Sequence, residues 1–74
     1  MKVKVRLFGF LAEEAGRREI TVDADTAGGA LEAARDSVQV PKSVRIAVNE
    51  EYAPAKTPLR PGDVVSLIPP VAGG

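Results

Sequence analysis

From Lys2 to Phe8 the chain alternates without a break, with Val3, Val5 and Leu7 on one side and Lys2, Lys4, Arg6 and Phe8 on the other. Side chains of an extended strand point alternately to opposite faces, so this segment predicts a strand buried on one face only. An apolar strand face needs a second layer to cover it. A chain of 74 residues has room for one such core, because two would each bury too little apolar surface to offset conformational entropy.

The remaining segments supply the layers. Gly9 ends the first strand, and Phe10 to Ala15 reads as a short turn or helical turn stopped by Gly16 at a C-cap. Arg18 to Val22 alternates again with Ile20 and Val22 inward, which predicts a hairpin with a long connection. Asp23 to Asp25 is a polar break, and Thr26 suits the N-cap of a helix running to about Val38 or Gln39. Its apolar face is Ala27, Ala30, Leu31, Ala34 and Val38, while Glu32, Arg35, Asp36 and Gln39 face water. Glu32 and Arg35 have the spacing of a helical ion pair. Gly28 and Gly29 weaken the first turn, each by about 1 kcal/mol relative to Ala in a helix interior.

Pro41 bars continuation of the helix, and Ser43 to Val48 reads as a third strand with Val44, Ile46 and Val48 inward. The loop from Asn49 to Pro58 has room for a short edge strand around Glu51 to Ala53. Pro61-Gly62 has the form of a type II turn. It delivers the chain into Val64 to Ile68, a strand apolar on both faces as a central strand is, with Val64, Ser66 and Ile68 turned from the helix. Strand, strand, helix, strand, strand with a single main helix defines a two-layer α+β domain over residues 1–68 with an extended tail at 69–74.

One helix covers one sheet face. Lys2, Lys4, Arg6 and Arg45, together with Val64 and Ile68, are therefore expected on an open face. Apolar and basic groups mixed in this way make a partner surface. They also suit a solvated face whose Lys and Arg stems cover apolar area, and the sequence leaves both readings standing.

Composition removes most chemistry. Ten Lys and Arg balance ten Asp and Glu, so no overall charge draws the chain to nucleic acid or to an anionic membrane. There is no cysteine, hence no disulfide, thiolate nucleophile or thiolate metal site, and no histidine, the usual general base near neutral pH. Glu13-Glu14 and Glu50-Glu51 are adjacent carboxylates in polar turns, which favours solvated side chains over an acid/base pair. Asp63 after Gly62 fits a turn-stabilising role. Gly28-Gly29 at a helix start resembles a phosphate cradle, but no Lys and no nucleotide-loop spacing accompany it, which favours close helix packing. Phe8 and Phe10 read as packing at the edge of the core, Tyr52 is undecided, and three scattered aromatics make no base-stacking platform. No apolar run suits a signal peptide or a membrane span, so a cytoplasmic location is expected.

The tail is the remaining candidate. From Val64 onward the chain carries no charge and finishes Pro69-Pro70-Val71-Ala72-Gly73-Gly74. Two prolines hold the exit extended, and two glycines remove bulk where a partner's active site would close on the backbone. Gly-Gly is also what a frayed terminus tolerates, and composition alone favours that simpler reading.

A resemblance changes the balance. Gly62-Asp63-Val64-Val65 followed by Pro69-Pro70-Val71-Ala72-Gly73-Gly74 is similar to the C-terminal signature of the molybdopterin synthase small subunit, within the wider family of β-grasp sulfur carriers. Leu7 to Gly16 resembles that family's first strand and following turn, and Ala47-Val48-Asn49 its third strand and the Asn after it. The resemblance implies a ubiquitin-like β-grasp, a mixed sheet of four or five strands on one main helix. It also implies that the Gly74 carboxylate is adenylated by an ATP-dependent, ubiquitin-activating-type adenylyltransferase and receives sulfur from a donor protein as a thiocarboxylate. The large synthase subunit would then take the tail and pass the sulfur to a pterin precursor. On this view Pro69, Pro70, Val71, Ala72 and Gly73 thread the partner's channel, and Val64, Ile68, Arg6 and Arg45 form the partner surface. The chain would be a small non-catalytic subunit that binds no cofactor or metal itself, ATP being the activating partner's. The Pro69-Pro70 pair resembles the molybdopterin branch more than the thiamine branch. A protein modifier forming isopeptide bonds, a thiamine-pathway carrier and an inert-tailed interaction module remain as alternatives.

Overall fold

A computed structural model describes residues 1–70. The chain order is β1 (Lys2–Leu7), α1 (Phe10–Ala15), β2 (Glu19–Asp23), α2 (Ala27–Ala34), β3 (Arg45–Val48), β4 (Glu51–Tyr52) and β5 (Val64–Ile68). The strands form one five-stranded mixed sheet in the order β2-β1-β5-β3-β4. β1 and β5 run parallel, and the other neighbours are antiparallel. The doubly apolar strand β5 is central, as its composition predicts.

Register places the alternating residues where the pattern requires. Val5 lies beside Val65 and Leu7 beside Leu67, and Ile46 and Val48 stand opposite Leu67 and Val65. These side chains meet Ala30 and Ala34 of α2 and Leu11 of α1 in the core, where Val5, Leu11, Val65 and Leu67 are fully buried. Burying a Leu or Val side chain of this kind contributes about 1.5–3 kcal/mol. The buried residues of α2 are all alanines, which lets its backbone lie close to the sheet and to the loop beneath it.

Both ends of α2 follow from particular bonds. Thr26 is extended at the N-cap and its Oγ1 accepts the Gly29 N–H at 3.0 Å. The helix stops at Ala34, short of the expected Val38 or Gln39. The N–H groups of Arg35, Asp36 and Ser37 donate to the carbonyls three residues back, tightening the last turn. Arg35 Nη1 also donates to the Val40 carbonyl at 2.9 Å, and Glu32 pairs with Arg35 at 3.2 Å. Val38 and Val40 are buried on either side of exposed Gln39, the period of extended chain rather than helix. Pro41 favours that conformation in the residue before it.

β3 begins at Arg45 rather than Ser43. Its register with β5, Arg45 opposite Ile68, would set Val44 and Ser43 opposite Pro69 and Pro70, which have no N–H to donate. Gly16 has φ 71 at the C-cap of α1 and Gly62 has φ 91 in the Pro61-Gly62 turn, both as the sequence predicts. Among the described residues no helix is long and apolar enough to cross a membrane.

Candidate functional site

The helices leave one face of the sheet open. Arg6 lies beside Ser66, Ser66 opposite Ala47, and Ala47 opposite Tyr52, so one row crosses four strands on that face. The adjoining row sets Ile68 opposite Arg45. Val64 pairs with Lys4, which in turn faces Thr21. Arg6, Arg45, Val64 and Ile68, expected as partner-surface residues, thus share one face, with Ile68 beside Arg45 and Arg6 between the levels of Val64 and Ile68.

Two cation–aromatic pairs frame this face. The Arg6 guanidinium sits 5.7 Å from the Phe8 ring centre and that of Arg45 sits 5.5 Å from Tyr52. Such pairs contribute about 0.5–1 kcal/mol each at exposed sites and hold the two cations in defined places. Neither arginine forms an ion pair among the described residues, whereas Lys2 is engaged by Asp23 at 3.5 Å. Between the pairs lies a cavity of ≈ 400 Å³ lined by Arg6, Phe8, Ala47, Glu50, Tyr52, Ser66 and Ile68. Ser66, 7% exposed, forms part of its lining.

Phe8 and Phe10 do not pack at the core edge as expected, since they are 40% and 45% exposed. The alternation already put Phe8 on the outer side with Arg6, and that signal outweighs its hydrophobicity. Phe8, Ala47, Glu50, Tyr52 and Ser66 are the site residues that sequence reasoning did not single out. Ala47 and Tyr52 are brought together only through the register of β3 with β4, which no local pattern displays.

The other candidates resolve structurally. Every early donor of α2 has an internal partner: Ala27 N–H donates to Thr57 O at 2.9 Å, Gly28 N–H to Ala55 O at 2.7 Å, and Gly29 N–H to Thr26 Oγ1. No donor is left for a phosphate, and a Cβ on Gly28 would stand 2.8 Å from Ala55 Cβ. Close packing explains the glycine. Asp63 accepts the Arg60 N–H at 2.8 Å and the Asn49 amide at 2.9 Å, which is the turn-stabilising role expected of it. The Asn49 amide first, then the Arg60 N–H, hold its carboxyl below the ordinary Asp value of 3.8. Among the described residues no cluster of His, Cys, Asp or Glu could hold a metal ion.

The sheet's central strand runs from this face directly into Pro69 and Pro70. Pro69 is half-buried and Pro70 exposed. Val71, Ala72, Gly73 and Gly74, to which the channel and reaction-centre roles were assigned, lie outside the described residues.

Five strands in this order, folded over one main helix, define a ubiquitin-like β-grasp protein. The chain belongs to the ThiS family, whose model matches residues 5–74. It is similar to SAMP1 from Haloferax volcanii, at 30% identity and TM-score 0.84 over 100% of both chains. A chain in the protein–protein complex of subunits 1 and 2 of the molybdopterin-converting factor from Helicobacter pylori is 31% identical, with TM-score 0.64 over 100% of both chains.

Proposed function

We propose that this chain carries sulfur for molybdopterin assembly, with the Gly74 carboxylate as its reacting group. The observation that carries the reading is the path of β5: the central strand leaves the sheet through Pro69-Pro70 at the rim of an exposed arginine–aromatic face. A partner that grips the face therefore meets the start of the tail in the same contact. The similarity to the Helicobacter pylori complex supports a second synthase subunit as that partner.

A Gly74 carboxylate oxygen attacks the α-phosphorus of ATP on an activating enzyme, and pyrophosphate leaves. A persulfide sulfur of the donor protein adds to the carbonyl carbon with loss of AMP. A second donor thiol reduces the acyl disulfide so formed, leaving the thiocarboxylate and an oxidised donor. In the large subunit the thiocarboxylate sulfur displaces an oxygen substituent from a carbon of the pterin precursor, and water then cleaves the thioester so formed, leaving the sulfur on the pterin and restoring the Gly74 carboxylate. This chain contributes the acyl group, its clearance and the docking face.

Incubation with an activating enzyme, ATP and a sulfur donor should raise the intact mass by about 16 Da, oxygen replaced by sulfur. An unchanged mass with a demonstrably active enzyme sinks the carrier reading. A stable complex with a pterin-synthase large subunit would place it in the molybdopterin branch, and complex formation only with thiamine-pathway partners would move it to that branch. The similarity to SAMP1, a small archaeal modifier protein, favours a second reading as a protein modifier. Lysine-linked conjugates that disappear when Gly74 is deleted would support it.

A further inference from the structure

β1 and β5 leave the sheet side by side. Their parallel register, Lys4 beside Val64 through Leu7 beside Leu67, sets Phe8 beside Ile68 and Gly9 beside Pro69 when carried on by two residues. There the paths part. β1 turns into α1 through Gly9 at φ 56, ψ −136, a region where an L side chain is strained. β5 continues into Pro69. A Cβ built on Gly9 would stand 3.2 Å from Pro69 Cγ, so the proline ring rests on a residue with no side chain to spare.

The prolines themselves release the strand. Neither can donate to Val44 or Ser43, the positions opposite them in the β3–β5 register, so the ladder ends at Ile68. A strand end without ladder bonds has no direction imposed by the sheet. The seat of the Pro69 ring on Gly9 supplies one.

We propose that Gly9 is a positioning residue for the exit of β5: its contact with Pro69 sets the direction in which Pro69-Pro70 leave the sheet. Its consequence for sulfur loading rests on the carrier reading, while the contact and its effect on the tail do not. A glycine needed only for its own turn would behave differently. In that case Pro69→Ala would leave loading untouched, and Gly9→Ala would lower stability without altering the folded protein's reaction.

The test uses the full chain with Gly9→Ala, Pro69→Ala and the double substitution, loaded by an activating enzyme with ATP and sulfide below each variant's Tm. Each single change should raise the KM for the carrier about five- to tenfold, because the exit at Pro69-Pro70 is no longer held in one direction. kcat should change little. The double variant should be no worse than the worse single one, since both disturb the same contact. Wild-type KM for Pro69→Ala, or single effects that multiply, would overturn the proposal.

NMR gives a readout independent of any enzyme. Gly9→Ala should move the Pro69 and Pro70 Hα resonances, although these residues are remote from Gly9 in sequence. Shifts confined to residues 8–13 would overturn the proposal even if the wild type were never loaded. Failure of the wild type to load counts against the carrier reading alone. Should Gly9→Ala not fold, Pro69→Ala still decides, because its Gly9 Hα resonance must shift if the ring rests there.

Discussion

Asn49 completes the β5 ladder with its side chain as well as its backbone, and Asp63 holds it there. Its N–H donates to Val64 O at 2.8 Å, its Oδ1 accepts the Val64 N–H at 3.0 Å, and its Nδ2 donates to Asp63 Oδ1 at 2.9 Å. Asn49 does this at φ 52, the left-handed region that Asn tolerates better than most residues. Asn49→Ala removes two side-chain bonds and strains the turn, so a loss of about 1–3 kcal/mol is expected. Urea unfolding should show a lower midpoint at unchanged slope. A loss under about 0.5 kcal/mol would mean that water replaces both bonds.

The same pair predicts an acid limb in stability. Hydrogen bonds from Asn49, then from the Arg60 N–H, depress the Asp63 carboxyl below its ordinary value of 3.8. A group whose folded pKa is lower than its unfolded one stabilises the protein above the unfolded value and loses that contribution as pH falls through the folded one. Stability should therefore decline on acidification below pH ~4, and Asp63→Asn should flatten part of that decline. NMR titration of the folded protein checks this directly, and an Asp63 midpoint at or above the ordinary value would contradict it.

Gly28 and Gly29 should respond differently to Ala. Helix propensity favours Ala by about 1 kcal/mol at either position. At Gly28 the new Cβ would lie 2.8 Å from Ala55 Cβ and 3.0 Å from Ala55 O, and one of those neighbours is backbone held by the 2.7 Å bond from Gly28 itself. Overpacking of this kind costs about 1–3 kcal/mol and wins. At Gly29 the nearest atom is Thr26 Oγ1 at 3.1 Å, and Ala24 Cβ follows at 3.6 Å, so a small adjustment of the threonine suffices. Gly28→Ala should lower Tm, and Gly29→Ala should leave it within about 3 °C of wild type. Equal behaviour of the two would show that helix propensity decides and packing does not.

Most of this fold is written in period and punctuation. Alternation in Lys2–Leu7, the cap at Thr26, the glycine at 16 and the Pro61-Gly62 turn all act locally, and each element they mark is present. The end of α2 was not legible because it depends on the Arg35 side chain reaching Val40 and on three tightened backbone bonds. The start of β3 depends on prolines two dozen residues away. The open face was legible as a set of outward residues, since Arg6, Arg45, Val64 and Ile68 could be assigned by alternation. Its cavity was not, because Tyr52 and Glu50 join it only through the β3–β4 hairpin.

That hairpin carries a cost at Glu50. Asn49 and Glu50 have φ 52 and 70, the pattern of a two-residue turn in which Gly is preferred at the second position. A left-handed glutamate costs about 1–2 kcal/mol in conformation, part of which returns as unfolded-state freedom when Gly replaces it. Glu50→Gly should stabilise the domain by about 0.5–1 kcal/mol and raise Tm by about 2–8 °C. Glu50 also lines the open-face cavity, so the same variant should change affinity for a docked partner while the fold improves. A lower Tm would mean that the side chain makes compensating contacts in the turn.

The open face itself admits a decision between docking surface and solvated face. Ile68 is half-buried among exposed aromatics and faces away from the core, so Ile68→Ala should cost folding little. If a large synthase subunit grips this face, the same change empties part of a desolvated contact and should weaken binding about 5- to 30-fold. Arg6 and Arg45 form no ion pair among the described residues and are held over Phe8 and Tyr52, where a partner's carboxylate can reach them. Arg6→Ala should act mainly on the association rate, with an effect that shrinks as salt rises. Lys56, in the loop beside the start of α2, is the control: Lys56→Ala should bind as wild type. Titration calorimetry and stopped-flow association at two salt concentrations separate the cases. If Ile68→Ala and Arg6→Ala both bind as tightly as Lys56→Ala, the face is solvent-covering stem and ring, and the partner must hold the chain by its tail alone.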